Sequence, residues 1–251
     1  MKIFVLGGTG LIGSKLVTLL RARGHTVVAG SPRNGVNAVT GEGLAQALRG
    51  VAVVVDVTNS PSFEDAAAME FFHSCGRNLA AAERVSGVIH HVTLSVVGTP
   101  RLQSSGYFRA KAVQEQWVRD SGIPFSIVHA TQFYEFIEAI AKAGVDGHNV
   151  RVSSAAMQPV AAGDVAMAMA DVALNVPANG IVEVAGPERM PISDAVARYL
   201  ASINDPRKVV GDPHTPFFGI DLDDRSLVPG ARARLGATPL GHWLAQQRKV
   251  A

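Results

Sequence analysis

A single cysteine, Cys75, stands among 251 residues. That excludes an internal disulfide framework and fits a reducing, cytoplasmic setting. The residue itself reads as a small apolar helix position. Charge is also scarce. Charged residues make up 18 % of the chain and the formal net charge is +2, with no block of one sign, so nothing points to a nucleic-acid partner. No apolar run reaches the roughly 20 residues of a membrane-spanning helix. The opening "MKIFVLGGTG" is too short for a secretory core and lacks a small-residue cleavage site. There is no His-x-x-x-His and no cysteine pair, so no metal site is expected. His90 and His91 are neighbours in a strand and point to opposite faces. Repeats, low-complexity tracts and long linkers are missing too, and no signal speaks for an oligomeric state. What remains is a chain long enough to bury a large core, with a small molecule as the expected partner.

The first half alternates strand and helix signals. Short apolar runs at 2–8, 25–30, 51–57, 87–95 and 124–130 read as strands, with a further strand at 35–40. The run "VAVVVDV" is apolar on both faces, as a central parallel strand should be. Helical patterns cover 13–24, 43–50, 63–85 with a wobble at Gly76, and 105–120. This order predicts an α/β fold, a doubly wound parallel sheet covered on both faces. After about 144 the pattern loosens: strands at 149–154 and 181–187, a helix at 160–175 capped near Asp164, a helix at 193–203 with Ser193 as N-cap, and two short helical pieces across 230–247. Pro and Gly thicken between 205 and 230, which suggests irregular loops. The chain reads as one domain, 1–251, with a core to about 145 and a variable substrate-binding portion over 146–251.

The strongest motif is "GGTGLIG" at 7–13. Gly7, Gly10 and Gly13 lie between the first strand and the first helix. A tight turn, a close backbone approach to a pyrophosphate and close helix packing each need a residue without a side chain. The helix N-terminus then offers N–H groups to phosphate. At the end of the second strand an Asp or Glu would select NAD. Here Gly30 and Ser31 stand there, with Arg33 just beyond, which favours the 2′-phosphate of NADP(H), NAD(H) remaining possible.

With "HVTLSVVG", "YFRAK" and "TQFYEF" added, the sequence resembles the short-chain dehydrogenase/reductase superfamily over roughly residues 1–140, and within it the NmrA-like branch. The resemblance implies a Rossmann fold that binds the cofactor through Gly7, Thr9, Gly10, Leu11, Ile12, Gly13, Ser31, Arg33, Thr58 and Lys111. It maps the Tyr-x-x-x-Lys pair onto Tyr107 and Lys111, and the hydroxyl partner onto Thr93 or Ser95. The family's helix asparagine falls at Asn78, where a structural role is expected. Where family members often carry Arg-Pro, this chain has His129-Ala130.

The implied activity is NAD(P)H-dependent reduction of a small carbonyl or quinone compound. Tyr107 would give a proton to the oxygen, and the Lys111 ammonium would lower the tyrosine pKa. A non-catalytic NADP(H)-sensing protein and a sugar-type epimerase using bound cofactor are the alternatives. His129 reads as a satisfied buried histidine, Met167 and Met169 as core, and Trp117 as packing. Substrate determinants are expected in 133–136, 149–160 and 205–230.

Overall fold

The computed structural model describes residues 1–247. Its strands and helices follow in chain order: β1 (Lys2–Leu6), α1 (Leu11–Ala22), β2 (Thr26–Gly30), α2 (Leu44–Ala47), β3 (Val53–Asp56), α3 (Asp65–Arg84), β4 (His90–Val96), α4 (Gly106–Asp120), β5 (Phe125–Ala130), α5 (Ile137–Ala143), β6 (Val145–Asp146), β7 (Asn149–Ser153), β8 (Ala156–Met157), α6 (Ala162–Leu174), β9 (Gly180–Ala185), β10 (Met190–Pro191), α7 (Ile192–Ser202), β11 (Lys208–Asp212), β12 (Arg234–Leu235) and α8 (Leu240–Gln247). A seven-stranded sheet runs in the order β12-β9-β5-β4-β3-β1-β2. Pairing of β1 with β2, β1 with β3, and β3 with β4 is parallel. This is the doubly wound, Rossmann-like α/β fold that the alternation of strand and helix signals implies. No described helix is long and apolar enough to cross a membrane.

The chain divides into two compact units. The first comprises 1–129 with 166–182, and the second 130–165 with 183–251. In the first, β1 and β3 are buried almost throughout, so their side chains are apolar on both faces until Asp56. Helices α3 and α4 pack closely. A Cβ at Gly76 would lie 2.6 Å from the Trp117 ring, and one at Gly106 would strike the Asp65 carboxylate. Gly76 therefore does not interrupt α3, as the sequence suggested; it admits the indole. Among the described residues Cys75 is buried and its thiol is pushed up to about 12, by burial and then by Asp56.

In the second unit, β11 pairs parallel with β7 and β6 antiparallel with β7, while β10 and β8 form a two-stranded ladder. Tyr134 is buried, donates its hydroxyl to the Thr238 carbonyl at 2.9 Å, and rests on the Trp243 ring.

Four local expectations are corrected. Residues 35–40 form a turn with a single bridge, Asn37 to Glu42, because Gly35, Gly41 and Gly43 take positive φ and Asn78 donates to the Ala38 and Val39 carbonyls. Helix α7 begins at Ile192, whose N–H is taken by the Ala155 carbonyl as β10 ends, so Ser193 lies inside the first turn. Asp164 does not cap α6; its carboxylate accepts from the Thr238 N–H and hydroxyl at 2.9 and 3.0 Å. The stretch from 205 to 239 holds two strands, β11 and β12, and the first helical piece expected after 230 is absent.

Between α3 and β4 lies a buried pair. His91 Nδ1 is 2.8 Å from Glu83 Oε1, with both side chains almost fully covered. Beside it is a void of about 10 Å³, lined among others by Asp56, Glu83, His91 and Gln114, about the space of one water. Burial opposes charge on His91, but the Glu83 carboxylate, with Asp56 behind it, more than offsets this and holds the imidazole pKa above its ordinary value. A raised folded pKa gives stability that is complete below the unfolded value of about 6.5 and is lost as pH rises through the folded value. Glu83→Gln should therefore cost about 3 kcal/mol or more near pH 5.5, the scale for breaking a buried pair, and distinctly less near pH 9. Urea midpoints of parent and variant across this range check the claim; a penalty that does not change with pH contradicts it.

Candidate functional site

From β1 the chain passes to β2 on one side, and then returns to β3 on the other side of β1. The carboxyl ends of β1 and β3 thus form a topological switch point, where open α/β sheets bind their ligands. The "GGTGLIG" turn sits there. Gly7 has φ +80°, and a Cβ on it would lie 3.1 Å from the Val57 backbone. Gly10 N–H donates to Gly7 O at 2.9 Å. A Cβ at Gly13 would lie 2.1 Å from Gly7 O, whereas one at Gly10 would meet only that oxygen, at 3.3 Å. Gly13 therefore seats α1 on the turn, and Gly10 leaves its outer side open. The first intrahelical bond of α1 runs from Ser14 N–H to Gly10 O, so the amides of Leu11, Ile12 and Gly13 begin the helix without helical partners. Thr9, Gly10 and Leu11 are exposed at this tip, while Ile12 is buried in the core. A cradle of this shape, closed to side chains within and bearing amides outward, fits a dinucleotide's phosphates.

After β2, Ser31 is buried and its N–H and hydroxyl both donate to Asn34 Oδ1, at 2.7 and 3.1 Å. Its hydroxyl is thus part of the loop's own structure. Arg33 is exposed and makes no ion pair or hydrogen bond with the other described residues. After β3, Thr58 donates its N–H and hydroxyl to Asp56 Oδ1 at 2.9 and 2.7 Å.

Helix α4 carries the Tyr/Lys pair, and the structure gives the two side chains separate partners. The Tyr107 hydroxyl donates to Asn59 Oδ1 at 3.0 Å, at the carboxyl end of β3. The Tyr107 ring packs against Phe63, Phe72 and Phe108, and burial pushes its pKa well above the usual phenol value. Lys111 is 2 % exposed. Its ammonium donates to Leu94 O at 2.8 Å and to Gln114 Oε1, and lies 4.7 Å from the Phe72 ring centre. Burial lowers its pKa to about 8, against the pull of Asp56 and Glu115.

Both strand hydroxyls are covered. Ser95 donates to Glu115 Oε1 at 2.6 Å. Thr93 is fully buried and its hydroxyl has no hydrogen-bond partner. Glu115 also faces His129 Nε2 at 2.8 Å and Arg119 at 3.1 Å. Burial resists its ionisation, but His129, Ser95 and Arg119 outweigh this and hold its pKa below the ordinary value. His129 is thus a buried histidine with a partner. His90 turns the other way from His91, onto Ser126 at 3.0 Å, and burial with His91 close by lowers it to about 4. Among the described residues no group of three His, Cys, Asp or Glu is placed to hold a metal.

Three participants were missed in the sequence: Asp56, Asn59 and Gln114. Asp56 had a visible signal, a lone acid ending an apolar strand. Gln114 stands three residues after Lys111, on the same helix face, yet an uncharged side chain there attracts no notice. Asn59 gives no signal at all.

Comparison with known proteins bears on this unit. Residues 3–88 match the model of the NAD dependent epimerase/dehydratase family. That stretch runs from β1 to the end of α3 and contains the glycine turn; it does not single out the narrower NmrA-like branch. No curated protein matches the sequence. Solved structures with the same fold include a dTDP-4-dehydrorhamnose reductase from Clostridium acetobutylicum, 15 % identical, covering 99 % of this chain and 100 % of that one, with a TM-score of 0.78. Another is a UDP-glucose 4-epimerase from Thermus thermophilus in complex with NAD, 22 % identical, covering 99 % and 93 %, with a TM-score of 0.68. A third is a dTDP-4-dehydrorhamnose reductase from Bacillus anthracis in complex with NADP, 14 % identical, covering 84 % of each chain, with a TM-score of 0.69. At these identities the likeness is one of fold.

Proposed function

We propose that this protein is an NAD(P)-dependent oxidoreductase that reduces a small carbonyl or quinone compound, with Tyr107 as the proton donor. The observation that carries the reading is a meeting of two features at one edge of the sheet. The phosphate-shaped glycine turn lies at the β1/β3 switch point, and the Tyr107 hydroxyl reaches Asn59 at the end of β3.

When bound, a nicotinamide cofactor supplies the hydride. The amides at the start of α1 bind its phosphates, and Arg33 reads a 2′-phosphate, which favours NADP(H) over NAD(H). Tyr107 holds the proton to be given. Burial raises its pKa, the reverse of the lowering expected from Lys111, so the acidity it needs as a donor has to come from the charge of the bound cofactor and substrate; the proton turns from Asn59 to the substrate oxygen. Lys111 provides the positive charge that offsets the phenolate left behind. Neither strand hydroxyl reaches an open site in this structure: Ser95 is committed to Glu115 and Thr93 is fully buried. The reducing chemistry suits a cytoplasmic setting.

The epimerase/dehydratase match supports a second reading, in which a sugar substrate is oxidised and reduced again on tightly held cofactor. Cofactor that copurifies and shows no net consumption during turnover would select it.

Gly10→Asp should fold normally, since only one atom stands within reach of a new Cβ, and should abolish NADPH binding by setting a carboxylate against the phosphates. Titration by NADPH fluorescence checks this; a folded variant with unchanged affinity removes the turn from the site. Arg33→Ala should weaken NADPH binding by about 1.5–3 kcal/mol and leave NADH nearly unchanged. Equal losses would mean that Arg33 does not read the phosphate. The decisive test follows a screen of aldehydes, ketones and quinones with NADPH oxidation as readout. Tyr107→Phe should keep cofactor affinity and lose on the order of 100-fold in turnover. Undiminished turnover would contradict the proposal and favour a cofactor sensor.

A further inference from the structure

Lys111 is a buried ammonium whose three direct neighbours are all neutral: the Leu94 carbonyl, the Gln114 side-chain carbonyl and the Phe72 ring. A buried cation needs a compensating anion nearby. Two carboxylates are within electrostatic reach, Asp56 on β3 and Glu115 on α4. Glu115 already answers to Arg119 and His129. Asp56 has only neutral direct partners. Its Oδ2 accepts from Gln114 Nε2 at 2.7 Å, and its Oδ1 accepts from the Thr58 N–H and hydroxyl.

The Gln114 amide is therefore fixed in one orientation. Its oxygen faces the ammonium and its nitrogen faces the carboxylate, so it links the two charges without letting them touch. The second arm of Asp56 leads to the phenol. By holding Thr58 it sets the backbone that presents Asn59, and Asn59 Oδ1 accepts the Tyr107 hydroxyl. One carboxylate thus reaches both members of the Tyr/Lys pair, from beneath.

We infer that Asp56 is a positioning residue for Tyr107 and Lys111, acting on the ammonium through Gln114 and on the phenol through Thr58 and Asn59. This rests on the proposed role of that pair in catalysis. An interposed amide weakens the pull of the anion, since the interaction falls with distance. Burial lowers Lys111 to about 8, and the pull of Asp56 across the amide, with that of Glu115, does not overcome it; a direct ion pair would oppose burial more strongly. The other titratable groups on the packed elements are accounted for. Cys75 on α3 is kept a neutral thiol, His91 on β4 is paired with Glu83 on α3, and His129 on β5 faces Glu115.

The test uses the full chain with carbon-13-labelled lysine, following the Lys111 side chain by NMR through a pH titration, beside the pH profile of turnover. Near-ultraviolet circular dichroism establishes that each variant is folded. In Asp56→Asn the Lys111 titration should move down by about one unit or more, the scale for removing a charge at this range. The alkaline limb of turnover should move down with it, and activity should recover towards the parent at acidic pH. A purely structural role would lower turnover alike at every pH and leave the limb in place. Should Asp56→Asn fail to fold, Gln114→Met cuts the same link and should move the titration in the same direction. A Lys111 titration that stays in place in a folded variant overturns the inference. Loss of turnover in Tyr107→Phe with an unmoved limb in Asp56→Asn overturns it alone, whereas full turnover in Tyr107→Phe overturns the function on which it rests.

Discussion

No side chain fits between the start of α1 and the turn that follows β1. At Gly13 the nearest atom to a new Cβ would be a backbone oxygen 2.1 Å away, and backbone cannot swing aside as the end of a long side chain can. The helix can meet the strand this closely only because four glycines stand in the seven residues 7–13. That approach brings the unpaired amides of the first helical turn to the switch point of the sheet, together with the positive end of the helix dipole. The proposed binding of a dinucleotide rests on this edge.

The underside of the site is polar where a parallel sheet would ordinarily be apolar. Two networks lie between the sheet and helices α3 and α4. One runs from Lys111 through Gln114 to Asp56 and Thr58. The other joins Ser95, Glu115, His129 and Arg119. A wholly apolar layer would be easier to bury. Such groups are tolerable because nearly every donor meets an acceptor, and an arrangement so fully paired has few alternatives. It holds α4 in a single register against β4, and with it the side chains at 107 and 111. The unpartnered Thr93 hydroxyl, lodged opposite Asp56 in the β3–β4 ladder, stands out against this background.

The fold was largely legible because it is written in periodicity. Apolar runs gave β1, β2 and β3, the first two ending in glycine, and the helical stripes gave α1, α3 and α4. Elements failed where local chemistry overrode pattern. The apolar stretch at 35–40 turns because three glycines with positive φ surround it, and the β11 strand hid among prolines and glycines. Of the site, the glycine turn and the Tyr/Lys pair could be named, since a motif fixes residue types at a spacing. The partners of that pair could not. Asp56 and Gln114 lie 58 residues apart, and only the folded sheet brings them together. The sequence also suggested that Lys111 would act directly on Tyr107, but their partners differ: the ammonium turns down onto Leu94 and Gln114, and the hydroxyl turns out onto Asn59.

The most direct measurement is a crystal structure of the full chain with NADP⁺ bound. The diphosphate is expected on the amides of residues 11–13, the 2′-phosphate within reach of the Arg33 guanidinium, and the nicotinamide beside the Tyr107 hydroxyl. A diphosphate bound elsewhere would contradict the reading of the glycine turn, and a nicotinamide remote from Tyr107 would contradict its assignment as the proton donor.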